Sequence, residues 1–131
     1  MRVYLDACVL IYRSEGTPPF QAAARAALET LGPSDAACMS DLVRMECLVK
    51  PLRLNDAALQ AAYEAQFTGI ELLTMPSAVF RLAAELRARS SLKTPDALHA
   101  ACAIHHGCDE LWTNDDRLST LSGRLRTRVV R

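Results

Sequence analysis

The chain has 131 residues, half of them hydrophobic, and its fifteen basic residues balance fifteen acidic ones. This length predicts a single domain over residues 1–131, and the balanced charge excludes the overall positive field of a non-specific nucleic-acid coat protein. Five cysteines without a C-x-x-C pair argue against a disulfide framework, and no stretch is long and apolar enough for a membrane span, so we expect a cytoplasmic protein.

The first half of the chain predicts strands that alternate with helices. RVYLD over residues 2–6 is typical of a short strand that ends at an acid, and ACVLIYRSEG is expected to lead into a turn before Pro18 and Pro19, with the first helix, which is Ala-rich, after them. AACM over residues 36–39 fits a buried strand. Ser40 can cap the next helix, which Pro51 should end or kink, and Asn55 can cap another.

The second half continues the alternation. IELLT over residues 70–74 is a third predicted strand, and a helix follows that opens at Pro76. Thr94 and Pro95 are expected to cap and begin the helix DALHAACAIHHG. DELWT is then a fourth strand, DDRLSTLSG a short helix and LRTRVV a possible fifth strand at the edge. This order predicts an α/β fold with a mostly parallel sheet of four to five strands, covered by helices on both faces.

Four acids fall at the carboxyl end of this predicted sheet. Asp6 ends the first strand and Glu46 lies in the helix after the second. Asp96 opens the helix before the fourth strand, and Asp115 follows that strand. Ligands of open α/β sheets bind at this end. Two like charges ~4 Å apart repel by about 4 kcal/mol at an effective dielectric of 20, so a cluster of these acids requires protons or hard cations.

Each acid also has a purely structural interpretation. Asp6 can close a turn, and Asp96 and Asp115 can complement the dipole of a helix that starts beside them. Lys50 can form an ordinary ion pair with Glu46 four residues earlier. The functional interpretation is favoured for the set as a whole, because its members come from distant segments and meet at the same end of one sheet.

The expected chemistry is phosphodiester hydrolysis. Carboxylate oxygens without imidazole or thiolate ligands nearby suit Mg²⁺ or Mn²⁺, which also bind the phosphate oxygens of a substrate. A cation held in this way polarises the phosphoryl group and stabilises the leaving oxygen.

The segments YLDACVLIY, TPDALHAA and LWTNDDRL, together with the helical Glu46, resemble the PIN-domain nucleases over essentially the whole chain. At this small size the chain is most similar to the VapC-type toxins of prokaryotic toxin–antitoxin pairs. The resemblance implies a three-layer α/β/α sandwich, an endoribonuclease that depends on Mg²⁺ or Mn²⁺, inhibition by a small antitoxin, and a homodimer. It assigns catalysis and metal binding to an acidic quartet of Asp6, Glu46, Asp96 and Asp115.

The resemblance also implies lesser roles and leaves one weak match. Thr113 is a supporting hydroxyl in the T-N-D element, and Asp116 is a possible auxiliary acid beside Asp115, which holds the third place of that element. Glu46 is matched by position and context more than by a tight motif. Lys93 and Arg117 are candidate contacts for RNA phosphates.

Several other features are expected to be structural. CAIHHGC over residues 102–108 has the chemistry of a zinc site, but so short a segment does not close a tetrahedron. His99 is expected to be packed, with a substrate contact as the alternative. Tyr63, Phe67 and Phe80 are expected in the core. The arginines near the C-terminus either grip phosphates or form a solvated edge: Arg117, Arg124, Arg126, Arg128 and Arg131.

Three alternatives to a toxin ribonuclease remain at this point. A non-toxin PIN-type nuclease of RNA processing would carry the same residues. A phosphoacceptor receiver-type domain also gathers aspartates around Mg²⁺, but the Lys that it requires after the last strand is absent. A non-catalytic metal-binding module would be expected to have lost at least one of the four acids, and all four are present.

Overall fold

The computed structural model describes residues 1–121 and 125–131. Part of the predicted short helix DDRLSTLSG, and Arg124, lie outside the described residues. The elements in chain order are β1 (Arg2–Leu5), α1 (Ala7–Glu15), α2 (Pro18–Glu29), β2 (Ala36–Ser40), α3 (Asp41–Arg53), α4 (Ala57–Phe67), β3 (Glu71–Leu73), α5 (Ser77–Ala88), α6 (Thr94–His105), β4 (Glu110–Thr113), a 3₁₀ helix (Asp116–Leu121) and β5 (Arg126–Val129).

The five strands form one parallel sheet in the order β3-β2-β1-β4-β5. Tyr4 of the central strand is in register with Cys38 on one side and Leu111 on the other. The predicted edge strand is confirmed, because β5 pairs only with β4 among the described residues. Receiver-type sheets have the order 2-1-3-4-5, so the receiver alternative is wrong for this chain.

Helices cover both faces of the sheet. Connections between parallel strands are right-handed, and the chain moves outward from β1 to β3 and then returns to β4. Helices α1 to α4 therefore lie on one face, where they contact one another, and the α5–α6 pair lies on the other. The central strands are buried from both sides: Tyr4 and Leu111 point to one face of the sheet and Leu5 and Trp112 to the other, and all four are fully buried. The predicted α/β/α sandwich is confirmed.

The stretch ACVLIYRSEG, expected to lead into a turn before the first helix, itself contains helix α1. Ala7, Val9 and Leu10 are buried in the core. Short helices gain most of their stability from such tertiary packing, which overrides the modest helix propensity of Val, Ile and Tyr. The expectation that the first helix begins only after this turn was wrong for this reason.

Two predictions about α3 also need correction. Pro51 does not end the helix, which continues to Arg53, because a proline near the end of a helix removes only one backbone hydrogen bond. The alternative, a kink at Pro51, stays a prediction. Ser40 occupies the N-cap position but its side chain caps nothing. Its Oγ lies 2.7 Å from the hydroxyl of Tyr4, so the serine serves the buried network described below.

In two further helices, the residue at the N-cap position is a sequence neighbour of the residue predicted to occupy it. Asp56, not Asn55, caps α4 with its carboxylate, while Asn55 adopts a positive φ of 52° in the preceding turn. Thr94 is the first residue of α6, and Lys93 occupies the N-cap position. None of the helices in the described part of the chain has the length and hydropathy of a membrane span.

Candidate metal centre

Asp6 lies where β1 passes directly into α1. It is the N-cap residue of α1, yet its side chain makes no capping hydrogen bond. Instead, Oδ2 accepts a hydrogen bond of 2.8 Å from the hydroxyl of Thr113, the fully buried last residue of β4. The strand order reverses between β1 and β4, and such a switch point is where α/β sheets bind ligands. The carboxylate is thus oriented by the neighbouring strand and remains available to a ligand.

Glu46 of α3 and His99 of α6 meet beside Asp6. The Nε2 atom of His99 lies 2.5 Å from Oε1 of Glu46 and 3.6 Å from Oδ1 of Asp6. One ligand atom from each of these three residues lies within 4.8 Å of the other two. Lys50 pairs with Glu15 at 2.6 Å, so the proposed ion pair between Lys50 and Glu46 is wrong.

A buried hydrogen-bond network supports the imidazole from behind. Nδ1 of His99 lies 2.7 Å from the hydroxyl of Tyr4, which lies 2.7 Å from Oγ of Ser40. His99 is 1% exposed, and Tyr4 and Ser40 are fully buried. Burial raises the pKa of Tyr4 well above its usual value, so the phenol keeps its proton.

Asp96 lies in the first turn of α6 and faces other acids. Burial raises the pKa of its carboxyl, and the charges of Asp6 and Asp115 raise this pKa further. His99 and Arg117 act in the opposite direction without cancelling the rise. The dipole of α6 therefore does not account for this aspartate, whose negative charge is incompletely compensated in the chain alone.

Asp115 is close enough to act on Asp96, but its own carboxylate contacts a cation. Arg117 donates to it from Nη2 at 2.5 Å and from Nε at 2.9 Å, and this contact holds the pKa of Asp115 below its usual range. The charge of Lys93 lowers this pKa as well. Asp116 lies at the start of the 3₁₀ helix and contacts Arg131 at 3.8 Å.

The donor set fits a divalent cation. Two carboxylates and one imidazole converge, and each of these groups is a common ligand of such ions. The expectation of a cluster without imidazole was wrong. His99 is packed, as predicted, but its packing places a ring nitrogen against Asp6 and Glu46. Its spacing of three residues from Asp96, which puts both side chains on one face of a helix, was the available signal.

The Cys and His residues of CAIHHGC have structural contacts. Nε2 of His106 donates to the carbonyl oxygen of Thr74 at 2.7 Å, and the ring of His105 packs edge-on against that of His106. Across residues 1–121 and 125–131, the single group able to hold a metal is that of Asp6, Glu46 and His99. The structural interpretation of CAIHHGC is therefore favoured over a zinc site.

The described arginines near the C-terminus contact groups of their own chain. Arg126 lies 3.9 Å from Glu110, and Arg128 stacks over the ring of Trp112. Among the aromatic residues expected in the core, Tyr63 and Phe67 are buried. Phe80 is 53% exposed on α5, so its assignment to the core was wrong.

The protein is thus an α/β protein with a parallel sheet. Carboxylates and an imidazole at the switch point of this sheet form a candidate site for a divalent cation. The model of the PIN domain family matches residues 3–123, and the chain belongs to this family. No curated protein sequence matches it.

Solved structures of toxin–antitoxin proteins share the fold. VapBC2 from Rickettsia felis, bound to a DNA fragment from its promoter, is similar with a TM-score of 0.83 at 18% identity over 100% of both chains. DNA-bound VapBC from Salmonella typhimurium gives a TM-score of 0.76 at 20% identity over 98% of each chain. VapC20 from Mycobacterium tuberculosis, a sarcin–ricin loop cleaving toxin, gives 0.76 at 14% identity over 92% of this chain and 95% of that one. At these identities the likeness concerns the fold.

Proposed function

We propose that this protein is a metal-dependent endoribonuclease that hydrolyses RNA phosphodiester bonds and acts as the toxin of a toxin–antitoxin pair. One observation carries the proposal. Asp6, Glu46 and His99 converge within 4.8 Å at the switch point of a PIN-domain sheet, beside Asp96, whose pKa is raised by its acidic neighbours. PIN-domain nucleases are generally metal-dependent hydrolases, and a fold relative cleaves the sarcin–ricin loop.

The acidic quartet and His99 have different roles in this proposal. The ion would be held by Asp6, Glu46 and His99. The carboxylates of Asp96 and Asp115 add negative charge to the side of the site. A bound Mg²⁺ or Mn²⁺ supplies Lewis-acid polarisation of the scissile phosphate. Thr113 fixes the orientation of Asp6 through its 2.8 Å hydrogen bond.

Asp96 is the group that we assign to proton transfer. Its raised pKa increases the basicity of the carboxylate, which suits it to accept a proton from an attacking water. Asp115 is less basic, because Arg117 holds its pKa low. The two aspartates therefore differ in their proposed roles although they are close in space.

Lys93 and Arg117 are the proposed phosphate contacts. Lys93 is exposed at the N-cap of α6, and it is close enough to Asp115 for its charge to lower the pKa of that carboxyl. Arg117 is also exposed and contacts the same carboxylate. Both cations thus border the acidic site, where they can hold the charged backbone of RNA against a wall of carboxylates that would otherwise repel it.

An apolar surface beside Glu46 supports a protein partner. Met45, Val49 and Leu52 are exposed along one face of α3. A cavity of about 370 Å³ borders the same helix and includes Phe20 and Glu46 in its wall. Exposed apolar surface of this kind marks protein interaction sites. We propose that the antitoxin packs an apolar segment here and covers the acidic site.

The remaining parts of the proposal concern assembly and location. The exposed Phe80 on α5 supports self-association as a homodimer, which light scattering of the purified protein measures. The five cysteines are free thiols, which supports a reducing cytoplasm.

The test of the activity is cleavage of RNA by the purified, untagged protein. We expect cleavage with Mn²⁺ or Mg²⁺, and no cleavage with a chelator or with single-stranded DNA of the same sequence. A protein that binds these ions but leaves every RNA substrate intact would be the non-catalytic module and would refute the proposal.

The test of the partner is co-expression with the small protein encoded by the adjacent reading frame. We expect the two chains to co-purify and RNA cleavage to stop. Met45→Asp and Val49→Asp should weaken the complex, whereas Phe80→Asp, on another helix, should leave it intact. If the pair does not associate, the protein is better described as a non-toxin nuclease of RNA processing.

A further inference from the structure

His99 is the least expected member of the site. Its side chain is 1% exposed, and its two ring nitrogens have opposite environments. Nε2 points to the carboxylates of Glu46 and Asp6 at 2.5 and 3.6 Å, whereas Nδ1 points to the hydroxyl of Tyr4 at 2.7 Å. A buried imidazole with this pair of contacts is held in one orientation, so its Nε2 atom is fixed at the centre of the acidic cluster.

The hydroxyl of Tyr4, which contacts Nδ1, is compatible with a proton on either ring nitrogen of His99. With a proton on Nε2, the imidazole donates to Glu46 and Nδ1 accepts a hydrogen bond from Tyr4. With a proton on Nδ1, the imidazole donates to the oxygen of Tyr4, and the tyrosine then donates to Ser40, whose Oγ is 2.7 Å away. A hydroxyl both donates and accepts, so neither arrangement leaves a buried polar group of Tyr4 without a partner.

We propose that His99 is a direct metal ligand through Nε2, and that it makes the site selective for divalent transition ions, with Mn²⁺ as the probe ion, over Mg²⁺. This inference rests on the proposed function, since it concerns the same cation site. Mg²⁺ prefers oxygen ligands, whereas an imidazole nitrogen favours transition ions. Replacing one oxygen donor by nitrogen therefore changes which ion the cluster prefers.

With the ion bound, Nε2 would be the ligand atom and Nδ1 would donate to the hydroxyl oxygen of Tyr4, which would in turn donate to Ser40. The contact between Tyr4 and Nδ1 acts as an outer-shell partner, of the kind that orients a histidine ligand and fixes its tautomer.

The direct test is pulsed electron paramagnetic resonance of Mn²⁺ bound to the untagged protein. The chain has three histidines, so the variant His105→Gln/His106→Gln leaves His99 alone. We expect modulation from one directly coordinated nitrogen, which changes when ¹⁴N-histidine is replaced by ¹⁵N-histidine. This experiment leaves His99 in place and so does not depend on the folding of a core variant.

The outcomes separate this inference from the proposed function. A nitrogen signal confirms the ligand. Bound Mn²⁺ and RNA cleavage without any histidine nitrogen signal would overturn the inference alone. If Mn²⁺ does not bind at all, both the cation site and the role of His99 are refuted.

Calorimetric titration with Mn²⁺ and Mg²⁺ tests the selectivity. His99→Gln should lower the ratio of Mn²⁺ to Mg²⁺ affinity by about tenfold or more, and Tyr4→Phe should weaken Mn²⁺ binding about 10- to 100-fold. Tyr63→Phe is the matched control, because Tyr63 is also fully buried and donates its hydroxyl hydrogen to Glu15. Equal affinities in wild type and Tyr4→Phe would overturn the role of the tyrosine, and an unchanged ratio in His99→Gln would overturn the selectivity.

Discussion

The two ends of the sheet use carboxylates in opposite ways. At the amino end, Asp35 accepts hydrogen bonds from the N-terminal ammonium at 2.5 Å and from the backbone of Gly32 at 2.8 Å. Asp109 accepts from the backbone N–H of Arg2 at 2.7 Å. The ammonium holds the pKa of Asp35 below its usual range. Each of these acids has a donor that stabilises its charge and ties neighbouring segments together.

At the carboxyl end, Asp96 faces other acids, although Asp115 beside it is paired with Arg117. Burial and the charges of Asp6 and Asp115 raise the pKa of Asp96, the reverse of the shift at Asp35. An aspartate that only joined two segments would be expected to gain stability from its contacts. The opposite pKa shifts of Asp96 and Asp35 therefore distinguish the proposed active end: the charge of Asp96 costs stability in the chain alone, and a bound cation would remove that cost.

The largest expected difference between the two ends is in activity. Asp96→Asn should lower the rate of RNA cleavage more than about 100-fold, because it removes the proposed proton acceptor and part of the negative charge of the site. Asp35→Asn is the control at the opposite end and should cleave at close to the wild-type rate. Initial rates on one RNA in saturating Mn²⁺ measure both. Equal rates for Asp96→Asn and wild type would contradict the assignment of the site.

The next effect is the stabilisation of the fold by cation. A ligand at about 100 times its Kd raises the free energy of unfolding by about 2.7 kcal/mol, and we expect a corresponding rise in Tm with Mn²⁺. Asp6→Asn should lose this rise, and Asp35→Asn should keep it. Thermal unfolding with and without the ion tests both variants. An unchanged Tm of the wild type in saturating Mn²⁺ would argue against a cation site.

A smaller effect concerns the metal-free protein at neutral pH. Because the pKa of Asp96 is raised in the folded state, the folded chain binds its proton more tightly than the unfolded chain. Stability therefore falls as the pH rises from below the unfolded pKa through the folded one. Asp96→Asn should remove this loss and raise Tm by a few degrees at pH 7 in the presence of a chelator. A lower Tm for the variant would show that Asp96 stabilises the fold.

The smallest effect is expected at Asp35. Its pKa is lowered by the N-terminal ammonium, so its contribution to stability is present above the unfolded pKa and is lost as the pH falls through the folded pKa. The ion pair is partly exposed to solvent, which limits its contribution. Asp35→Asn should lower Tm slightly at pH 7 and have no effect in strong acid. Tm is measured for the wild type and for Asp35→Asn from acid to neutral pH. A difference in Tm between the two that shrinks as the pH rises would contradict the stabilising role of Asp35.

The parts of the site that depend on local sequence could be predicted. Asp6 follows a strand-like segment and Asp96 follows a Thr-Pro pair, and both features are visible within a few residues. The contact between Glu46 and His99 joins residues 53 positions apart, on helices that cover opposite faces of the sheet. A local sequence pattern spans only a few residues, so the contact of His99 with Glu46 could be identified only from the structure.

The fold shows the same limit. The layers and the parallel sheet follow from the alternation of elements and were predicted, whereas the strand order β3-β2-β1-β4-β5 was not. Helix α1 was missed because Val9 and Leu10 have the side chains of a buried segment but not the polar face that marks a surface helix. Ser40 was assigned to a helix cap because its neighbour in sequence begins a helix, whereas its hydroxyl partner, Tyr4, is in another strand.

The direct passage from β1 to α1 has a mechanical consequence. Leu5 ends the strand, Ala7 begins the helix, and the backbone N–H of Asp6 donates to the carbonyl oxygen of Trp112 at 2.9 Å. No loop separates the two elements, so Asp6 cannot swing on a hinge without disturbing the close-packed interior around it. The backbone position of Asp6 is therefore as rigid as the end of β1. A partner that covers this carboxylate leaves the strand in place, whereas one that moves it must displace the strand.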